Sequence, residues 1–298
     1  MAVKTVQAVI NGQTYNLTLN SSTGKYEATI TAPSKSSYTL SGHYYPVTVK
    51  ATDDAGNTTT KTDSDATLGG SLKLQVKEKV APVIAITAPT AGSYIINNKP
   101  AITFKVTDDD SGVNPSTIGI TIDSGSKITD GITKTAVTGG YNCSYIPTTA
   151  LTDGSHTIRF DASDYDGNAA TQKSVTFKID TVPPALSVAS PSDGYVTNKS
   201  TITVSGTTND VTSSPVTVMI NGAPVTVGSN GAFSTTVTLS AGSNTITIVA
   251  KDSAGKTTTI TRTVKYDPNP PKITAASVTP NPVDAGKTYV ISVTVTDE

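Results

Sequence analysis

Three stretches of the chain alternate apolar and polar residues and then break on the same turn. They are VTVKATDDAGN (47–57), TIRFDASDYDGN (157–168) and TITIVAKDSAGK (245–256). Val47 and Val49 correspond to Ile158 and Phe160, and to Ile246 and Ile248. A period of two places alternate side chains on one face, which predicts a strand with one buried side. Ala51, Ala162 and Ala250 then coincide. So do Asp53, Asp164 and Asp252, and Gly56, Gly167 and Gly255. Asp-x-x-Gly predicts a hairpin turn, with the carboxylate bonding local N–H groups and glycine taking a positive φ. A returning strand follows at Val175, Phe177 and Ile179, and another ends at Val264 and Tyr266. In the first stretch the expected partner is Leu72, Leu74 and Val76, beyond a polar loop.

Two more patterns recur. PVIAITAPTAGSYIINNKPAITFKVTDDD (82–110) parallels PALSVASPSDGYVTNKSTITVSGTTND (184–210) and PKITAASVTPNPVDAGKTYVISVTVTDE (271–298). Each predicts a short strand, a Pro/Gly turn and an alternating strand. VQAVINGQTYNL (6–17) parallels VTVMINGAPVTV (216–227), and Asn-Gly between two alternating runs is a strong short-range hairpin signal. A complete unit therefore holds an opening strand pair, a middle hairpin and a closing hairpin. Proline-rich joints at 80–82, 182–184 and 269–271 separate the units, because proline stiffens a linker and cannot donate to a ladder. The expected division is 1–80, lacking the opening pair; 81–181; 182–268; and 269–298, holding an opening pair alone.

Composition supports an all-β chain. Threonine dominates, Val, Ile and Tyr are frequent, and Trp is absent. β-Branched residues suit a pleated, half-buried surface and disfavour helix. With 22 basic and 23 acidic residues and no block of one sign, the chain offers no basic stripe for nucleic acid. No run approaches the roughly 18 apolar residues of a membrane span, so no membrane insertion is expected. The single cysteine, Cys143, excludes an intramolecular disulfide and reads as a small buried hydrophobe. MAVKTVQAVINGQTY has no apolar signal-peptide region, so export by the usual signal is not expected if Met1 is the true start.

The motifs DTVPP (180–184), TNKSTITVSGT (197–207), INGAPV (220–225) and NTITIVAKDSAGK (244–256) carry a resemblance. Residues 81–181 and 182–268 resemble bacterial Ig-like domains. The resemblance implies tandem immunoglobulin-like β-sandwiches in an extended rod, each of about seven strands. It implies roles found for such modules in cell-surface proteins, polysaccharide-acting enzymes and phage virions. The cysteine pair and buried tryptophan of antibody domains are missing.

The two incomplete ends are complementary. Residues 271–298 are expected to complete 1–80 by strand complementation, with Tyr289, Ile291, Val293 and Val295 meeting Val6, Ala8 and Ile10. Between copies this gives head-to-tail self-association; a chain doubled back on itself, a sequence cut from a longer chain, and a flexible two-strand tail beside an N-terminal segment that pairs well enough alone are the alternatives.

Chemistry is sparse. His43 and His156 stand apart from any recognisable nucleophile, and no phosphate-binding glycine loop or zinc-protease motif occurs. No catalytic residue and no organic cofactor are expected. Acidic groups are the candidates for a cation: Asp53-Asp54, the run Asp108-Asp109-Asp110, Asp161 with Asp164 and Asp166, and Asp180. Calcium takes six to eight oxygens, and Asp108, Asp109 and Asp110 are the leading candidates for its ligands. Tyr44-Tyr45 and Tyr141 with Tyr145 are candidates for contact with a surface glycan. The reading is a non-enzymatic structural or adhesive protein, with other virion or cell-surface proteins as partners. A phage virion component, at the virion or extracellular surface, leads. A fragment of a bacterial surface adhesin and the accessory region of a polysaccharide-degrading enzyme are the alternatives.

Overall fold

A computed structural model describes residues 2–297. It contains strands and two short 3-10 turns, and no α-helix among the described residues. The chain divides into two compact units. One holds residues up to 93 together with 97–179; the other holds 94–96 and the chain from 180 onward.

The first unit opens with β1 (Val3–Ile10), β2 (Gln13–Asn20), β3 (Lys25–Glu27), β4 (Tyr45–Asp53), β5 (Thr58–Lys61) and β6 (Lys73–Leu74). They form one sheet in the order β3-β2-β1-β4-β5, with β6 also on β4. Asn11 and Gly12 both take positive φ between β1 and β2, the geometry of a tight two-residue hairpin. The partner of β4 differs from the expectation. β5 pairs directly with β4 after the Asp53–Asn57 turn, and β6 meets only Tyr45 and Pro46. Asp53 closes that turn at once by accepting the Ala55 and Asn57 N–H groups, and the threonines that follow suit a strand.

The same unit continues with β7 (Val83–Ala88), β9 (Ile102–Thr107), β10 (Val113–Ile122), β11 (Thr133–Val137), β12 (Gly140–Tyr145), β13 (Gly154–Asp164) and β14 (Lys173–Ile179); β8 is Tyr94–Ile95. β11-β12-β9-β7 form one sheet, and β10-β13-β14 run together in a second. The alternating residues of β9, β13 and β14 fill the space between: Ile102, Phe104, Val106, Ile158, Phe160, Phe177 and Ile179 are all but fully buried. Phe104 meets Phe160 edge-on at 4.9 Å between ring centres. Burying each such side chain contributes about 1.5–3 kcal/mol before conformational entropy is counted.

The second unit builds a sandwich from β15 (Ala185–Ser190), β16 (Tyr195–Thr197), β17 (Thr201–Asn209), β18 (Thr217–Ile220), β19 (Ala223–Val225), β20 (Ala232–Thr238), β21 (Gly242–Lys251) and β22 (Thr257–Tyr266). Its sheets run β15-β17-β20 and β16-β22-β21-β18-β19. Val204, Phe233, Ile246, Ile248 and Val264 make the core between them. β23 (Lys272–Thr279) and β24 (Val290–Thr296) then form a two-stranded hairpin whose every residue is exposed.

The two units differ in one matched segment. Aligned on Gly24 and Gly231, KYEATITA (25–32) matches AFSTTVTL (232–239). In the second unit Ala232–Thr238 form β20, paired to β17 throughout. In the first, only Lys25–Glu27 form a strand, on β2, and residues 28–32 form none.

Candidate metal centres

The Asp-x-x-Gly turns that end the long strands are built by carboxylates. Asp164 holds the turn after β13: its Oδ1 accepts the Asn168 N–H at 2.7 Å and its Oδ2 the Asn168 amide at 2.7 Å. Asp53 does the same with Asn57, whose side chain holds the Asp53 carboxyl below the usual carboxylate range. Asp252 accepts the Lys256 N–H on Oδ1 at 2.8 Å. Because Lys256 stands where the others have asparagine, no amide reaches Asp252 Oδ2. That oxygen is buried without a partner, in a residue only 5 % exposed.

Two further acids join each of the later turns. Asp108 follows β9, where Oδ1 accepts the Asp110 and Gly112 N–H groups at 3.0 and 2.7 Å. Asp210 follows β17, and its Oδ1 accepts the Thr212 and Ser213 N–H groups at 2.8 and 2.6 Å. The third acid comes from the segment leading into each sandwich: Glu78 before β7 and Asp180 before β15. Glu78, Asp108 and Asp164 each place a carboxylate oxygen within 4.8 Å of the others, and so do Asp180, Asp210 and Asp252. All are buried except Glu78, which is half-buried. The clusters correspond position by position. Glu78 to Asp108 and Asp180 to Asp210 are the same thirty positions apart. A serine follows each second acid by three positions, Ser111 and Ser213. The Ser111 N–H donates to Glu78 Oε1 at 2.6 Å, while Ser213 Oγ donates to Asp180 and Asp210.

The expected run of three aspartates is divided by the fold. Asp108 lies in the cluster, Asp109 is exposed, and Asp110 accepts the Ser36 N–H with both oxygens at 3.1 and 3.0 Å. Glu78 and Asp210 were not among the acids singled out from sequence; the thirty-position spacing is the signal that finds them. Asp166, an expected candidate, receives the Glu78 N–H at 3.0 Å and anchors the leading segment instead.

The remaining candidates fall elsewhere. Tyr45 and Tyr145 are core residues, and Tyr44 donates to Asp63 with Lys73 over its ring. They do not form an aromatic platform. The rings that do come together are His43, Tyr38 and Tyr165, stacked in that order with 4.3 Å between successive centres. This stack joins the opening segment of the first unit to the turn after β13. His156 is buried, with Nδ1 at 2.8 Å from Asp123 Oδ2 and Nε2 at 2.7 Å from Thr152 O. Both ring nitrogens face acceptors, so it braces loops. Cys143 is buried and its thiol is pushed up to about 11 by desolvation. Val6, Ala8 and Ile10 lie on β1, whose two edges are already bonded to β2 and β4. Tyr289, Ile291, Val293 and Val295 are exposed on and beside β24.

Comparison with known proteins fits this architecture. Residues 87–181 match the family described as bacterial Ig-like domain, and residues 184–267 match glucodextranase, domain B. The chain carries tandem Ig-like domains. Bacillopeptidase F of Bacillus subtilis (strain 168) is 33 % identical over 130 residues, 44 % of this chain and 8 % of that protein. The chain thus matches a small part of that curated relative's length. Among solved structures, the fibronectin(III)-like modules of Clostridium thermocellum CbhA are 17 % identical, cover 62 % of this chain and 94 % of theirs, at TM-score 0.35. A tetra-tandem repeat from the extending region of a large adhesion protein is 20 % identical, covering 98 % and 79 %, at TM-score 0.33. No described helix is long and apolar enough to cross a membrane.

Proposed function

We propose that these Ig-like domains are a non-catalytic spacer or accessory region of a larger extracellular bacterial protein. The observation that supports this most is the pair of family matches lying end to end on 87–181 and 184–267. Ig-like sandwiches are scaffolds whose function resides in sites grafted onto them. The matches to glucodextranase domain B and to a bacillopeptidase favour an accessory module over a virion part. Force spectroscopy on the intact chain tests the spacer reading. A spacer of independent sandwiches unfolds in discrete steps of about 30 nm per domain, from about 0.33–0.36 nm per extended residue. Absence of discrete steps, or turnover of a polysaccharide or peptide substrate by the purified chain, would overturn the reading.

A second reading is favoured by one observation: residues 28–32 lack the strand pairing that their counterparts in β20 have. We infer that a second copy's β23–β24 hairpin supplies it. By alignment with β17, Tyr289, Ile291 and Val293 would stand opposite Ile30, Ala28 and Tyr26. The hairpin would then cover Val6, Ala8 and Ile10 face to face, as one sheet of a sandwich covers the other, and not by adding to an edge of β1. Deleting residues 270–298 should abolish concentration-dependent association measured by light scattering. Association that survives the deletion sinks this reading.

A further inference from the structure

We propose that each carboxylate cluster is a calcium site, one formed by Glu78, Asp108 and Asp164 and the other by Asp180, Asp210 and Asp252. The ion would tie the segment leading into each sandwich to the loops that close its long strands.

Three observations carry this. First, the geometry suits one ion. Calcium binds oxygens at 2.3–2.6 Å, so two ligands of one ion lie up to about 5 Å apart. The three carboxylates of each cluster offer oxygens within 4.8 Å. Backbone N–H groups hold Oδ1 of Asp108 and of Asp210, which fixes each carboxylate while leaving Oδ2 for another partner.

Second, one cluster contains a buried polar atom with no partner, and a residue bonded to the other carries one. Asp252 is itself a cluster member; its Oδ2 has no hydrogen bond, and the residue is 95 % buried by its 5 % exposure. Ser111, which holds Glu78 through its N–H, is 1 % exposed with an unpartnered Oγ. Leaving a buried acceptor unsatisfied is costly, the more so for a carboxylate. A cation at the centre of the cluster satisfies it. The described ion pairs, Lys61–Asp65, His156–Asp123 and Lys265–Asp267, involve none of the six carboxylates. Three carboxylates this close repel one another until a cation lies between them.

Third, the arrangement occurs twice with the same parts: an acid in the leading segment, an aspartate thirty positions later at a strand end, a serine three further on, and the aspartate of the Asp-x-x-Gly turn. The ligand class is a hard, oxygen-preferring divalent cation, since every donor is oxygen. Calcium is chosen over magnesium because magnesium keeps most of its water and demands closer, octahedral ligands.

The test is calorimetric titration of the chelator-treated intact chain with calcium chloride, alongside thermal melts. Two saturable sites per chain are expected, with the melting temperature rising by at least about 5 °C at saturation. Asp252→Asn should remove one site, and its metal-free melting temperature should equal or exceed that of the unaltered chain, because repulsion is relieved. Glu78→Gln should remove the other site. Asp109→Asn, at an exposed position outside the cluster, should leave both. Absence of saturable binding by the unaltered chain overturns the proposal whatever the variants do. So does binding unchanged in both Asp252→Asn and Glu78→Gln. Equal binding of magnesium chloride overturns the choice of calcium.

Discussion

Gly206 shows how closely the strands of the second sandwich approach. A Cβ there would lie 2.1 Å from Ser187 O and 2.6 Å from the Phe233 ring. Gly206→Ala should therefore cost about 1–3 kcal/mol through overpacking, read from chemical denaturation. Phe104→Ala should cost about 3–5 kcal/mol, since it removes a ring packed on Phe160 at the centre of its sandwich. Cys143 makes stability depend on pH. Burial raises its folded-state pKa to about 11, above the value of an unfolded thiol. Its contribution is therefore complete below pH ~8.5 and is lost as pH rises towards about 11. Melts between pH 7 and 10.5 should decline less steeply for Cys143→Ala. Single residues were legible where one local rule decided them. The alternation alone marks Phe160 and Phe177 as inward. The run Asp108–Asp110 was legible as acidic but not as a site, because consecutive residues at a strand end point in different directions. Its true partners stand at a strand's length and more along the chain.

Elements were legible in proportion to how local their cause is. Asn221-Gly222, like Asn11-Gly12, takes positive φ at both residues, as a two-residue hairpin demands. Nothing lies within 4 Å of a Cβ built on Gly222, so Gly222→Ala meets torsional cost alone. The expected loss is about 1–2 kcal/mol by denaturant titration, with the fold unchanged by circular dichroism. The partner of β4 was misplaced because Thr58–Lys61 is uniformly polar and lacks the alternation that marks a half-buried strand. β11 was likewise not marked out by its sequence, being threonine-rich and mostly solvent-facing. What no local rule could show is that residues 28–32 stay irregular while their counterparts form β20. In the second unit that segment has β17 as its pairing partner, a strand remote from it in sequence.

At the scale of the molecule, the first unit is held together by more than its linker. Tyr165 stacks on Tyr38, Asp166 accepts the Glu78 N–H, and Asp110 accepts that of Ser36. Tyr165→Ala removes a stack of about 0.5–1.5 kcal/mol. Hydrogen exchange should then quicken around residues 36–43, while β9 and β13 keep their protection. The hairpin β23–β24 has a different consequence, a colloidal one. Ile273, Val290, Ile291, Val293 and Val295 are each at least half exposed on a paired ribbon with two free edges. Apolar strands with unpaired edges are templates for uncontrolled stacking. The chain should therefore tolerate concentration poorly, and a charge at Ile291 or Val293 should raise its solubility limit without altering the melting of either sandwich.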